Sequence, residues 1–155
     1  MAPAPSDPKQ LTPLVFSDSF KQFFSQLRDP SQPNATTALH TCALNGNTSL
    51  TEHLLTKKGA NANAVDNTGC SPLHHAALLG RSSICALLIK YGADVNARTA
   101  DGTSPLHKAA QSGHIAVLEL LLGAGTDRHA VNRRGESPFN IASAHRHTDA
   151  MVLLR

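Results

Sequence analysis

The pattern of apolar and polar residues repeats along this chain at a fixed interval. Three segments open with serine, proline and an apolar side chain, and they start at Ser71, Ser104 and Ser137. The step from the first serine to the second equals the step from the second to the third. A constant interval within the range of about 20–50 residues predicts a stacked array of repeated units.

Each unit predicts two short helices. The serine hydroxyl can cap the first helix, and the proline that follows needs no amide hydrogen in the first turn. Pairs of alanines, such as Ala109-Ala110, keep the packing face of this helix small, and Gly80 and Gly113 are predicted to end it in a left-handed turn. The second helix carries an apolar stripe that forms the shared core. In the three units the stripe consists of Ile84, Leu87 and Leu88, of Val117, Leu120 and Leu121, and of Ala150, Leu153 and Leu154.

An earlier unit starts at Thr37 and contains one additional residue. The step from Gly46 to Gly80 is longer by one than the step from Leu54 to Leu87. The additional residue is therefore predicted between Gly46 and Leu54, in the loop between the two helices, where insertions are tolerated.

The N-terminal part of the chain differs from the units. Residues 1–15 are rich in proline and are predicted to be a disordered tail. Residues 16–36 are predicted to form an amphipathic helix, ended by Asp29-Pro30, and a linker. The favoured interpretation is that this helix caps the open end of the array, and the alternative is that it binds a partner. Its apolar stripe consists of Phe16, Phe20, Phe23, Phe24 and Leu27.

The segments Gly92–Ala97 and Asp101–Ala110 together resemble the ankyrin repeat. This resemblance implies an all-α ankyrin-repeat solenoid over residues 37–155, in which helix-turn-helix units are joined by β-turn finger loops. Asn140 replaces the repeat's histidine and Arg146 replaces its glycine, so the final unit is expected to be a capping half-repeat. The expected units are residues 37–69, 70–102, 103–135 and 136–155.

The histidines of the units are predicted to be structural. His40, His74 and His107 recur once per unit, so they lie on neighbouring helices about 8–10 Å apart, whereas two zinc ligands each lie about 2.0–2.1 Å from the metal. The resemblance implies that each imidazole bonds the Ser/Thr hydroxyl of its own unit and the backbone of the neighbouring finger. His145 and His147 are next but one in sequence and are predicted not to face each other on a helix.

Composition and the remaining motifs give no indication of an enzyme. Three cysteines, Cys42, Cys70 and Cys85, lack CxxC spacing and are expected to be reduced. No phosphate-binding glycine motif, secretory signal or long apolar stretch occurs. The sequence therefore predicts no catalytic residue, no cofactor and no metal, and it predicts a cytoplasmic or nuclear chain without a membrane segment.

The resemblance implies a non-catalytic module that binds a protein partner on a concave surface. That surface would be formed by the finger tips and the exposed side of the first helices. The predicted contact residues are Leu78, Leu79, Arg98, Ala100, Asp101, Thr103, Gln111, Ser112, Arg133, Arg134, Glu136 and His145. Further positions are Val65, Asn67, Thr68, Cys70 and Val131.

The predicted surface suggests what it binds. Arg98, Arg133 and Arg134 lie on successive fingers. Such arginines most often form a solvated face, but if they cluster, the expected partner of the monomeric array is an acidic protein segment. Leu78-Leu79 is either an exposed apolar contact site or packs into the neighbouring unit. One alternative function is a regulatory or inhibitory subunit of an enzyme complex that also uses the Phe-rich helix. Nucleic-acid binding through the C-terminal arginines is less favoured, because only Tyr91 is aromatic between residues 25 and 138.

Overall fold

The computed structural model describes residues 37–155 and shows four pairs of antiparallel helices in this range, without a strand. The predicted tail of residues 1–15 and the predicted helix and linker of residues 16–36 lie outside the described residues. Within residues 37–155, no helix is long and apolar enough to cross a membrane. The helices are α1 (Ala38–Asn45), α2 (Thr48–Lys57), α3 (Pro72–Leu79), α4 (Ser82–Lys90), α5 (Pro105–Ser112), α6 (Ile115–Gly123), α7 (Pro138–Ala144) and α8 (Thr148–Leu154).

The helix pairs stack side by side in two layers. The first helices α1, α3, α5 and α7 contact each other in order, and so do the second helices α2, α4, α6 and α8. Each pair is joined to the next by a long loop, which we call a finger: residues 58–71, 91–104 and 124–137. The predicted all-α solenoid is confirmed.

The core follows the predicted stripe of the second helices. Leu54, Leu88, Leu121 and Leu154 are completely or almost completely buried, and each occupies the same place in its helix. In the other layer, small residues at equivalent positions, such as Ala77 and Ala110, are also fully buried. Their small size allows the first helices to approach closely.

The predicted helix starts and stops are confirmed. Ser71, Ser104 and Ser137 are N-cap residues with a proline in the first turn. Gly80 and Gly113 end α3 and α5 with φ angles of 71° and 70°, in the left-handed region that glycine adopts without steric cost.

The additional residue of the first unit is in helix α2, so the prediction that it lies in the loop was wrong. The loops before α2 and α4 are equally long, whereas α2 has 10 residues and α4 has 9. The amide of Ala60 donates to the carbonyl of Leu54, just as the amide of Ala93 donates to that of Leu88. Leu54 is thus equivalent to Leu88, and the C-terminal turn absorbs the residue because its carbonyls have no partner within the helix.

The turn between α7 and α8 departs from the other turns. Arg146, which stands where Gly113 stands in the preceding unit, adopts φ 60° and is the one non-glycine residue with positive φ in the described range. The rings of His145 and His147 stack beside it with centroids 6.1 Å apart. The prediction that these histidines do not face each other was wrong, because they flank a turn and do not share a helix.

Candidate interaction surface

A buried histidine in each of the first three helix pairs joins its pair to the next finger. Nδ1 of His74 accepts from the backbone N–H of Ser71 at 3.0 Å, and its Nε2 donates to the carbonyl oxygen of Thr103 at 2.9 Å. The equivalent bridges run from His40 to Cys70 at 2.8 Å and from His107 to Glu136 at 3.0 Å. The structural role implied for these imidazoles is confirmed.

The bridges require neutral imidazoles. Burial lowers the pKa of His74 to about 4, although its bond to the Thr103 carbonyl opposes the shift. Burial also lowers the pKa of His40 and of His107. A proton on Nδ1 would face the N–H of the capping residue, and two donors cannot pair. The three histidines therefore stay uncharged at neutral pH and hold the scaffold.

A second set of side chains links the first helices, and sequence reasoning missed it. Nε2 of His114 donates to the carbonyl oxygen of Leu78 at 3.0 Å, and Nε2 of His147 donates to that of Gln111 at 3.1 Å. Arg81, at the equivalent place one unit before His114, donates to the carbonyl of Leu44 at 3.2 Å. The equal spacing of these three donors along the chain is the signal that could have found them.

The fingers are bonded to each other along the array. The amide of Ala100 donates to the carbonyl of Thr68 at 3.3 Å, and the amide of Arg133 donates to that of Asp101 at 2.9 Å. The guanidinium of Arg98 donates to the carbonyl of Val131 at 2.7 Å. The finger tips are thus held in a fixed order by bonds that cross between neighbouring loops.

Most of the predicted contact residues are accessible. Leu79, Arg98, Ala100, Asp101, Gln111, Arg133, Arg134 and His145 are exposed, and Leu78, Ser112 and Glu136 are half-buried. Thr103 is buried, with 8% of its surface exposed, so its prediction as a surface residue was wrong. Its amide donates to the Thr99 hydroxyl, and its carbonyl receives the His74 bridge. Cys70 is buried for a similar reason, since its carbonyl receives the His40 bridge.

Apolar side chains are exposed on the first two helix pairs. Leu79 is 40% exposed, so of the two alternatives for Leu78-Leu79 the exposed one holds for Leu79, while Leu78 is half-buried. Leu44 is 42% exposed and was not predicted, although it occupies the same place in its unit as Leu78 in the next. We call Leu44, Leu78 and Leu79 the leucine patch.

Positive side chains are exposed at the other end. Arg133 and Arg134 are exposed, and within residues 37–155 their guanidinium groups make no hydrogen bond or ion pair. The nearby carboxylate of Asp101 accepts a bond from the Thr99 hydroxyl, and this bond lowers the pKa of Asp101. With Arg98 they form the set that we call the finger arginines.

His40, Asp66 and His75 form a cluster that the sequence did not suggest. Their potential ligand atoms lie within 4.8 Å of one another. Nε2 of His75 is 2.8 Å from the Asp66 carboxylate, and both ring nitrogens of His40 bond Thr37 and Cys70. Burial opposes ionisation of Asp66, but bonds from the Thr68 hydroxyl and His75 hold the pKa of Asp66 well below its usual range. The cluster is accounted for by these bonds among its own members and neighbours.

Comparison with known proteins agrees with the geometry. The family described as "Ankyrin repeats (3 copies)" matches residues 15–99, and "Ankyrin repeats (many copies)" matches residues 79–122 and 108–155. The chain is similar to the RelA-associated inhibitor of Mus musculus, with 38% identity over 73 residues, and to the FYVE zinc finger domain protein UPA1 of Mycosarcoma maydis, with 37% identity over 71 residues. Each alignment covers 46% of this chain but only 9% and 6% of the respective relative. With its stacked helix pairs and matching family models, the chain belongs to the ankyrin-repeat family.

Proposed function

We propose that this array is a non-catalytic module that binds an acidic segment of a protein partner. Ankyrin repeats generally mediate protein–protein interactions and are generally non-catalytic. The proposed contact surface consists of the finger tips and the exposed residues of the first helices, as predicted, without the buried Thr103.

The unpaired guanidinium groups of Arg133 and Arg134 are the observation that carries this proposal. Both are exposed, and neither is neutralised by a carboxylate within residues 37–155. The bond from the Arg133 amide to the Asp101 carbonyl fixes the backbone that presents them. A fixed backbone reduces the entropy lost on binding, so charged groups held in this way favour association.

Two carboxylates of the fingers make side-chain bonds within the array. Asp66 pairs with His75, and the carboxylate of Asp101 accepts from Thr99. Arg133 and Arg134 make no such bond within residues 37–155, so their guanidinium groups are the charged groups of the last finger tip that are left to contact a partner. Exposed charges of this kind accelerate association with an oppositely charged segment, and salt screens the effect.

Charge reversal tests the proposal. A fluorescein-labelled peptide of ten glutamates is the probe, titrated with Arg133→Glu/Arg134→Glu at low salt. We expect the variant to bind the peptide about tenfold more weakly than the unaltered chain does. Added salt should weaken the binding of the peptide to both chains. Lys57→Glu/Lys90→Glu is the matched control, because it changes the net charge equally at the ends of α2 and α4. Equal weakening by both variants, or no binding of the peptide at all, would reject the finger arginines as the site.

A regulatory or inhibitory role is the second candidate. It is favoured by the similarity to a protein named as an inhibitor that associates with RelA. In this role the predicted Phe-rich helix of residues 16–36 would contact the partner as well. Removing residues 1–36 distinguishes the two interpretations of that helix. Loss of partner binding with unchanged thermal melting supports a binding element, whereas loss of cooperative melting supports a cap.

A further inference from the structure

We propose that the partner segment carries apolar side chains at one end and acidic side chains at the other, and lies along the array with its apolar end on the leucine patch. This inference rests on the proposed function, because it takes the finger arginines as the site of the acidic end. It adds a second contact region and a length for the segment that joins the two.

The chemistry at equivalent positions changes from one end of the array to the other. The position of Leu44 is occupied by Leu78, then by Gln111 and then by Ala144, in order along the array. At this position, large apolar side chains therefore occur only on the first two of the four first helices.

At the next position, a leucine occurs only on the second of the four first helices. This position holds Asn45, then the exposed Leu79, then Ser112 and finally His145. The leucine patch is thus confined to helices α1 and α3, and the bond from Arg81 to the Leu44 carbonyl ties the end of α1 to the turn that follows α3.

The finger tips change in the opposite direction. The position of Arg133 is occupied by Asn67 and Ala100 on the two earlier fingers, and that of Arg134 by Thr68 and Asp101. A pair of adjacent cations is therefore presented only by the last of the three fingers. Exposed valines occur on the first and third fingers, but on the first helices large exposed apolar side chains occur only at the end of the array that carries Leu44 and Leu79. The paired arginines are at the other end, so a uniform acidic segment would not use both regions.

The distance between the two regions sets the length of the partner. Leu79 belongs to the second helix pair, and Arg133 and Arg134 precede the first helix of the fourth pair. Neighbouring helices pack about 8–10 Å apart, so two spacings amount to about 16–20 Å across the stack. Leu79 is the last residue of an eight-residue helix, whereas the two arginines precede the start of theirs, which adds about 12 Å along the helix axis. The two regions are therefore at least about 20–23 Å apart, which about six or seven extended residues span at about 3.3 Å per residue. A segment this short is not stable as a helix in water, so we assign an extended conformation to it.

Two labelled peptides test the inference. The first has two leucines, a six-residue Gly/Ser spacer and four glutamates, and the second has serines in place of the leucines. The variant Leu44→Ser/Leu79→Ser removes the exposed part of the patch. We expect the unaltered chain to bind the leucine peptide about tenfold more tightly than the serine peptide, since apolar area is buried. In the variant this difference should disappear, while thermal melting shows that the array is still folded.

The outcomes separate the two proposals. If Leu44→Ser/Leu79→Ser weakens both peptides equally, or neither, the leucine patch is not a contact region and this inference fails. If Arg133→Glu/Arg134→Glu leaves the serine peptide unaffected, the proposed acidic contact itself fails. A third peptide without a spacer provides the length test. Binding as tight as that of the spaced leucine peptide would contradict the separation of the two regions.

Discussion

Nε2 of His107 donates a hydrogen bond of 3.0 Å to the carbonyl oxygen of Glu136, while Nδ1 of the same ring accepts from the backbone N–H of Ser104 at 3.2 Å. The two bonds fix one neutral tautomer, with the proton on Nε2. Because His40 and His74 are arranged in the same way, the joints between helix pairs depend on the charge of three buried imidazoles.

Acidification is expected to destabilise the array. Imidazoles of the unfolded chain take up protons near pH 6.5, whereas His74 in the folded chain does so at a pKa of about 4. The unfolded state therefore binds more protons between these values, so stability is complete above pH 6.5 and is lost as the pH falls towards 4. His74 alone would contribute on the order of 3 kcal/mol. Urea unfolding at pH 7.5, 6.0 and 4.5 measures this, and equal unfolding free energies at all three would contradict it.

Replacing His107 separates its bond to the capping Ser104 from its bridge to Glu136. His107→Asn should keep the cap, because Asn140 shows that an asparagine oxygen can accept from the preceding serine at 2.9 Å. It should lose the bridge to Glu136 and cost about 1–3 kcal/mol at pH 7.5. The loss should shrink towards pH 5, because one of the titrating groups is gone. A pH dependence as steep as that of the unaltered chain would exclude His107 from the titration.

Two glycines allow a steric test. A Cβ at Gly80 would lie 2.6 Å from Nδ1 of His114, whose ring is anchored to the Leu78 carbonyl, whereas a Cβ at Gly92 would meet nothing within 4 Å. Both glycines have positive φ. Gly92→Ala should cost about 1–2 kcal/mol from backbone strain alone, and Gly80→Ala at least about 1 kcal/mol more from the lost bond. Chemical denaturation of both variants measures the difference, and equal losses would show that the His114 ring moves freely.

A glycine in the turn before α8 should raise the free energy of unfolding. Arg146 occupies a left-handed conformation at a cost of about 1–2 kcal/mol. Arg146→Gly removes this strain but adds about 0.5–1 kcal/mol of backbone entropy to the unfolded chain. We expect a net gain of about 0.5–1 kcal/mol, seen as a higher melting temperature. Arg146→Lys keeps the charge and the strain, so its melting temperature should stay unchanged. A glycine variant no more stable than the lysine variant would contradict the strain.

The thiols should be unreactive in the folded chain. All three cysteines are free and buried. Burial raises the pKa of Cys42 to about 11 and that of Cys85 to about 12, so almost no thiolate of these two is present at neutral pH. Titration with a disulfide reagent at pH 7.5 should therefore modify them only after denaturant is added. Rapid reaction without denaturant would show that the array opens readily.

What the sequence predicted correctly is local or periodic. The caps at Ser71 and Gly80, the stripe containing Leu88 and the role of His74 all follow from chemistry within one unit and its interval. The alignment of Leu54 with the second unit was predicted wrongly, because the additional residue lies at the C-terminal end of α2, after Leu54, and not in the loop before it. The sequence places Leu54 opposite Leu87, but burial pairs it with Leu88.

The errors on the surface arose where neighbouring units meet. The resemblance assigned Thr103 to the contact surface, yet Thr103 is buried where the bridge from His74 reaches it from the preceding unit. Leu44, the contact of Arg81 and the pair of His75 with Asp66 likewise depend on how helix pairs and fingers are placed relative to one another. The spacing of such residues is readable in the sequence, but their distances become known only from the stacked structure.

The hydrogen bonds that join the helix pairs are accepted by main-chain carbonyl oxygens. The residue that supplies such an oxygen can therefore be substituted without loss of the bond. Cys70, Thr103 and Glu136 supply the same acceptor with three unlike side chains. Leu44, Leu78 and Gln111 do so in the first-helix layer. A scaffold joined in this way can acquire a different recognition surface by point substitution while its architecture is inherited unchanged.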